Sequence, residues 1–133
     1  MLRRQLLTSM LVATAGSVAL ARTVTAASGA RFEAAGFAAA QAAGKPILVA
    51  VHADWCPTCT KQAPILSRLL ADPSMKEMVV FTLDFDTQKV ELPIVGARMQ
   101  STLVVYRGRE EKGRSVGVTD EAALKELLAK AVG

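Results

Sequence analysis

Residues that build metal clusters and disulfide frameworks are scarce in this 133-residue chain, which has two cysteines and one histidine. A structural zinc site takes four ligands, usually from two Cys or His pairs, and no second pair exists here. At most one disulfide can form, so an apolar core has to carry the stability. Long internal repeats and low-complexity linkers are also missing, which excludes repeat arrays and leaves a single compact domain as the expectation. The chain carries a formal charge of +4, with no block of like charge beyond its N-terminus. Scattered charge of this kind does not argue for nucleic acid or an anionic membrane as partner.

Much of the positive balance sits in a segment unlike the rest. Arg3 and Arg4 give a positive start, and an uncharged apolar stretch runs from Leu6 to Ala21. Small residues then stand in A-x-A-like settings, as in Val24-Thr25-Ala26. The three-part pattern predicts a secretory signal peptide over residues 1–26, with the domain over 27–133. The stretch is short for a membrane span, so no span is expected after cleavage, and an uncleaved N-terminal anchor is the alternative. Leu2-Arg3-Arg4-Gln5-Leu6-Leu7 also resembles a twin-arginine export signal. The expected location is the periplasm, a compartment that permits disulfides.

Beyond the leader the pattern alternates between helix and strand. Phe32 to Ala43 is alanine-rich and predicts a helix, ended by Gly44. Ile47 to Ala53 is a nearly continuous apolar run, as in a strand buried on both faces. Pro57 to Leu70 predicts a helix with Pro64 inside it as a kink. Val79 to Phe85 is a second buried strand, Thr87 to Met99 a short helix and loop, and Thr102 to Tyr106 a third strand. Arg107 to Lys112 reads as a solvated turn and Ser115 to Val118 as a short edge strand. Thr119 is the expected cap of a last helix, whose buried stripe is Leu124, Leu127, Leu128 and Val132. The fold class is α/β: a central mixed β-sheet flanked by helices on both faces.

The chemistry concentrates in Ala53-Asp54-Trp55-Cys56-Pro57-Thr58-Cys59. Cys56 and Cys59 are three apart at a helix start and therefore face the same side. Free N–H groups and the helix dipole favour negative charge there, which suits a thiolate. Pro57 fits the first turn, where its missing N–H is not needed. A structural staple, a metal site and an inert reduced pair are the competing readings. The staple closes a loop of about four residues, worth only ~2 kcal/mol. For metal, His52 and Asp54 would have to join the thiolates, yet neighbouring strand positions alternate faces. His52 is expected to pack against the sheet. Met75, Met78 and Met99 are expected in core or rim packing.

The Trp-Cys-x-x-Cys core, with Pro64 further along the same helix, resembles the thioredoxin superfamily over roughly residues 31–132. Phe32, Gly44-Lys45-Pro46, the Asp84-Phe85-Asp86 strand end, Gly108 and the final helix match as well. The Ala-Asp-Trp-Cys run is similar to exported thioredoxin-like domains of bacterial electron-delivery proteins. The resemblance implies thiol–disulfide exchange without a cofactor, Cys56 acting as nucleophile and Cys59 as resolving thiol. It implies substrate contacts at Trp55, Pro57, Thr58, Ser101 and Thr102. The partners implied are protein thiol or disulfide substrates and a redox donor protein, with a membrane reductant as candidate. A monomer is expected.

Three departures stand out. Ala50 occupies the place of the family's buried acid, and Thr82 that of its partnering lysine. Cys59 then needs another base: solvent, Asp54, Asp84 or the substrate's own thiolate. Ser101 stands where the family has a cis-proline, so a trans Gln100–Ser101 bond and an altered loop are expected, since a non-proline cis bond costs roughly 2.5–4 kcal/mol. The Ser101 hydroxyl is a candidate donor to a sulfur. Thr58 is uncharged, which leans the pair towards reduction. The alternative function is a non-catalytic carrier of a soft metal such as Cu(I), held by both thiolates.

Overall fold

The structure, a computed structural model, describes residues 29–133. The leader expected over residues 1–26 lies outside the described residues. Among those described, no helix is long and apolar enough to cross a membrane.

The apolar run near the centre of the sequence becomes the centre of the sheet. This strand, β2 (Pro46–His52), lies between β3 (Val79–Asp84) and β4 (Thr102–Arg107), parallel to the first and antiparallel to the second. A short β1 (Ala30–Arg31) adds in parallel outside β3, and β5 (Glu110–Val116) adds antiparallel outside β4. The result is a mixed five-stranded sheet, ordered β1-β3-β2-β4-β5.

Strand alternation sends side chains to two separate cores. Ile47, Val49 and Val51 of β2, with Phe81 and Leu83 of β3, face the side of helix α1 (Ala34–Ala42), where Phe32, Phe37 and Tyr106 meet them. Leu48 faces the other side, where α2 (Pro57–Leu70) and α3 (Glu121–Val132) cover it with Leu66, Leu70, Leu124, Leu127 and Leu128. The α/β class with helices on both faces is therefore as expected. Met75 and Met78 join the second core, whereas Met99 is exposed.

Several boundaries differ from the sequence expectation, each for a physical reason. Phe32 does not begin the first helix. Its N–H donates to the Thr82 carbonyl (2.8 Å), and its own carbonyl accepts from Gln88 Nε2 (2.8 Å), so it prolongs the β1 pairing. The helix starts at Ala34 and ends in a Schellman-type cap. Gly44, at φ 69°, donates to Gln41, and Lys45 donates to Ala40. The cap of α3 is Asp120 rather than Thr119, its Oδ2 accepting from the Ala123 N–H at 2.9 Å. Val132 is only partly buried, and Ala131 completes the stripe in its place. The segment read as a long polar turn is mostly strand: β5 begins at Glu110, and its charged residues suit an exposed sheet edge. The region after β3 holds a 3-10 turn over Leu92–Val95 rather than an α-helix. Helix α2 keeps its expected bounds and continues across Pro64.

Candidate active site

At the carboxyl end of β2 the chain turns through Ala53 to Trp55 and enters α2. Cys56 is the N-cap of that helix, with extended backbone, and Pro57 occupies its first position. The Cys59 N–H donates to Cys56 Sγ at 3.2 Å, so the sulfur fills the place a serine or aspartate oxygen takes in an ordinary cap. One free helix N–H thus points at the sulfur where a thiolate would form. The Thr60 N–H and hydroxyl both donate to the Cys56 carbonyl, which steadies the turn.

The two cysteines are unbonded thiols, and both are buried, at 3% and 2% exposed. Cys56 is thus no more open than Cys59. The exposed group is Trp55, at 59%. Its indole Nε1 donates to Asp86 Oδ2 at 2.8 Å, and its ring meets Phe85 edge-on at 6.4 Å. Phe85 also packs against the cluster of Ala53, Cys56 and Cys59. Neither Phe85 nor Asp86 was singled out for this role from sequence. The Asp84-Phe85-Asp86 strand end was the one signal that pointed there. Pro57 is exposed and Thr58 half-buried beside the pair.

Cys59 Sγ donates weakly to the Val51 carbonyl at 3.9 Å. Burial pushes the Cys59 thiol up from its ordinary value, and its hydrogen bond with Cys56 adds to this. The Ala53 and Ser101 backbones pull in the opposite direction. His52 is half-buried, with Nε2 3.1 Å from Asp54 Oδ1. It is thus only partly covered and has a polar partner, rather than being simply packed against the sheet as expected. Asp84 spends its carboxylate on the Asp86 and Thr87 N–H groups, at 2.9 and 2.8 Å. These hydrogen bonds, that of Thr87 foremost, hold it below the usual carboxylate range.

The loop facing the cysteines has no cis bond, as expected for a serine in this place. It has instead an unexpected twist: Ser101 adopts φ 57°, in the left-handed region. The Ser101 N–H donates to the Val51 carbonyl at 2.9 Å. Its own carbonyl accepts from Gly117 N–H (3.1 Å) and from Gln62 Nε2 (3.3 Å). Both backbone groups are thus tied inside the protein. The Ser101 hydroxyl lies towards Gly117, 4.0 Å from where a Cβ would stand there. Ser101 and Thr102 are buried, at 5% and 2% exposed, and the Thr102 hydroxyl donates to the Met99 carbonyl at 2.7 Å. The outer part of the loop is Met99, at 53% exposed. Gln62, which also donates to the Val118 carbonyl at 2.8 Å, is a site-supporting residue that sequence reasoning missed. A glutamine inside a helix carries no signal of a partner 39 residues away.

Among the described residues, no three of His, Cys, Asp and Glu gather as a metal-holding group. The arrangement can do dithiol–disulfide chemistry: two sulfurs on one helical turn, a helix N–H at the outer one, and an exposed indole beside it.

Comparison with known proteins agrees. The family model described as Thioredoxin matches residues 28–130. A thioredoxin of Chlamydia muridarum is 31% identical over 84 residues, covering 63% of this chain and 80% of that protein. The crystal structure of Trxlp from Edwardsiella tarda superposes with a TM-score of 0.73 at 44% identity, over 76% of this chain and 98% of that one. The oxidised thioredoxin of Plasmodium falciparum shares the fold, with a TM-score of 0.65 at 20% identity over 80% of this chain and 100% of that one. Nothing in these relatives supports a soft-metal carrier. The chain belongs to the thioredoxin family, whose thiol–disulfide exchange it carries on the Cys56–Cys59 pair.

Proposed function

We propose that this oxidoreductase is an exported reductant of protein disulfides, working as a monomer in the periplasm and recharged by a donor dithiol, with a membrane reductant as the source of electrons. The observation that carries the division of labour is the Cys59 N–H held on Cys56 Sγ, beside an exposed Trp55. Cys56 is the nucleophile. Its thiolate attacks a substrate disulfide, a mixed disulfide forms, and one substrate sulfur leaves with the electron pair. Cys59 then attacks Cys56 Sγ, the internal disulfide closes, and the second substrate sulfur leaves. Two electrons pass to the substrate. Trp55, Pro57 and Thr58 offer the contact surface on one side, and Met99, the exposed part of the 99–102 loop, offers it on the other; Ser101 and Thr102, expected at the contact, are buried and shape that loop from beneath.

Export is supported by the pattern of Arg3, Arg4 and the apolar stretch to Ala21. Reduction is supported by the uncharged Thr58, which offers the Cys56 thiolate no cationic partner. The test is the reduction potential of the pair in a glutathione buffer. A value near ~−270 mV supports a reductant, and one near ~−120 mV makes the protein a disulfide donor. A Cys59→Ser variant should accumulate the mixed disulfide through Cys56, visible by mass spectrometry. A Cys56→Ser variant that kept full disulfide-reducing activity would overturn the assignment of the nucleophile.

A further inference from the structure

Behind Cys59 the interior is not filled. Strands β2 and β3 run parallel there, with Ala50 paired to Thr82 and His52 paired to Asp84. Alternation turns Leu48, Ala50 and His52 towards α2, and Val80 and Thr82 likewise. Ala50 and Thr82 are both short, and a cavity of about 230 Å³ opens beneath the helix, lined among others by Cys59, His52, Gln62, Ser67 and Thr82. That volume is large enough for water, and in a mainly apolar wall His52 and Thr82 of the sheet and Gln62 of the helix offer it polar atoms.

Cys59 has the more demanding proton of the pair. It must ionise to close the disulfide, yet burial disfavours its thiolate. The partners of its sulfur are the Val51 carbonyl, which cannot keep a proton, and the Cys56 sulfur, which is already bonded to substrate when Cys59 has to ionise. Of the cavity-lining side chains, only His52 and Cys59 titrate. Asp54 lies at 3.1 Å from His52 Nε2. A carboxylate there places the imidazole proton on Nε2 and leaves Nδ1 as the acceptor.

We propose that His52, oriented by Asp54, receives and returns the Cys59 proton through water in this cavity. It rests on the exchange reaction and gives that reaction its missing base. During resolution, the Cys59 proton passes through water to His52 Nδ1, and the Cys59 thiolate attacks Cys56 Sγ. The Cys56–Cys59 bond forms, and the substrate sulfur departs as thiolate with the electron pair. In the reverse direction a donor thiolate attacks Cys56 Sγ. Cys59 leaves with the electron pair and takes its proton back from the imidazolium. The charged groups beside His52 are Asp54 on its own loop and Asp84, its register partner on β3. From α2 the titrating neighbour is Cys59, and the adjoining end of β4 brings only the uncharged Ser101 and Thr102.

The test is the rate at which excess dithiothreitol reduces the oxidised full chain, for wild type and for His52→Gln, between about pH 5 and 8, where imidazoles change charge. The ratio of the two rates cancels the ionisation of dithiothreitol. It should be about tenfold at the acid end, below the ~10²–10⁴-fold of directly placed acids, and fall towards one at the alkaline end. Asp54→Asn, at an exposed side chain, should show the same loss and guards against a folding defect in His52→Gln. A ratio independent of pH for both variants would overturn the proposal and reduce His52 to a packing residue. A wild type reduced no faster than a free peptide disulfide would overturn the exchange reading itself, and this proposal with it.

Discussion

Ser101 shows how much one side-chain choice decides in the loop opposite the cysteines. Its φ of 57° is closed to proline, whose ring holds φ near −65°, and its N–H is spent on the Val51 carbonyl. Restoring the family's proline as Ser101→Pro should therefore destabilise the protein by about 2–3 kcal/mol, read as a lower urea midpoint. An unchanged midpoint would mean that the loop can move to another backbone path. Tyr106 offers a pH-dependent counterpart. Burial pushes its hydroxyl up to about 12, with Glu111 adding to the effect. The folded state therefore holds this proton more tightly than the unfolded chain. The stability it contributes is whole below the ordinary tyrosine range and is lost as pH rises from about 10 to about 12. In oxidised protein, where no thiol titrates, Tyr106→Phe should flatten the fall in unfolding free energy across that window.

At the scale of elements, α2 is the piece that joins fold and site. Its first turn holds the sulfurs. One turn further on, Gln62 reaches out of it to the Ser101 and Val118 carbonyls. Gln62→Ala should cost about 1–3 kcal/mol, because the part-buried Val118 bond is lost outright while Ser101 keeps Gly117. It should also raise amide hydrogen exchange at Ser101 and Gly117, and unaltered exchange there would show that β4 and β5 hold the loop unaided. Helix α3 depends on its cap more conventionally. Asp120→Ala should lower stability by about 1 kcal/mol, whereas Thr119→Ala should change little, since the Asp120 carboxylate is the group on the Ala123 N–H.

Across the whole molecule, the few aromatics divide the labour. Phe32, Phe37, Phe81 and Tyr106 form one cluster under α1, with ring centroids 5.2 to 6.1 Å apart. Trp55 and Phe85 form the other, at the cysteines. Truncating Phe81 to Ala should cost about 3–5 kcal/mol and leave the chemistry of the pair intact in the folded fraction. Phe85→Ala removes the ring that packs on Cys56, Cys59 and Trp55, so it should shift the reduction potential and cost less stability. The same potential in both variants would deny Phe85 that role.

Much of this was legible without coordinates, because it is written in neighbouring residues. The redox pair, the helix that opens on it, the apolar β2 and the α/β class follow from spacing, from Pro57 at a helix start and from hydrophobic runs. The short β1 has only two residues and no period to read, and β5 is so charged that its pairing with β4 is invisible in its own composition. Ala50 and Thr82 are separated in sequence, and each alone reads as a missing family residue. Only the register of β2 on β3 sets them side by side and turns two absences into a cavity shared by Cys59 and His52. The sequence by itself determined which atoms exchange electrons, since local backbone geometry brings residues three apart to one face. Tertiary structure decided what surrounds those atoms, because burial, the Trp55–Asp86 bond, the Gln62 tie and the space behind Cys59 arise from segments that meet only when the sheet has formed.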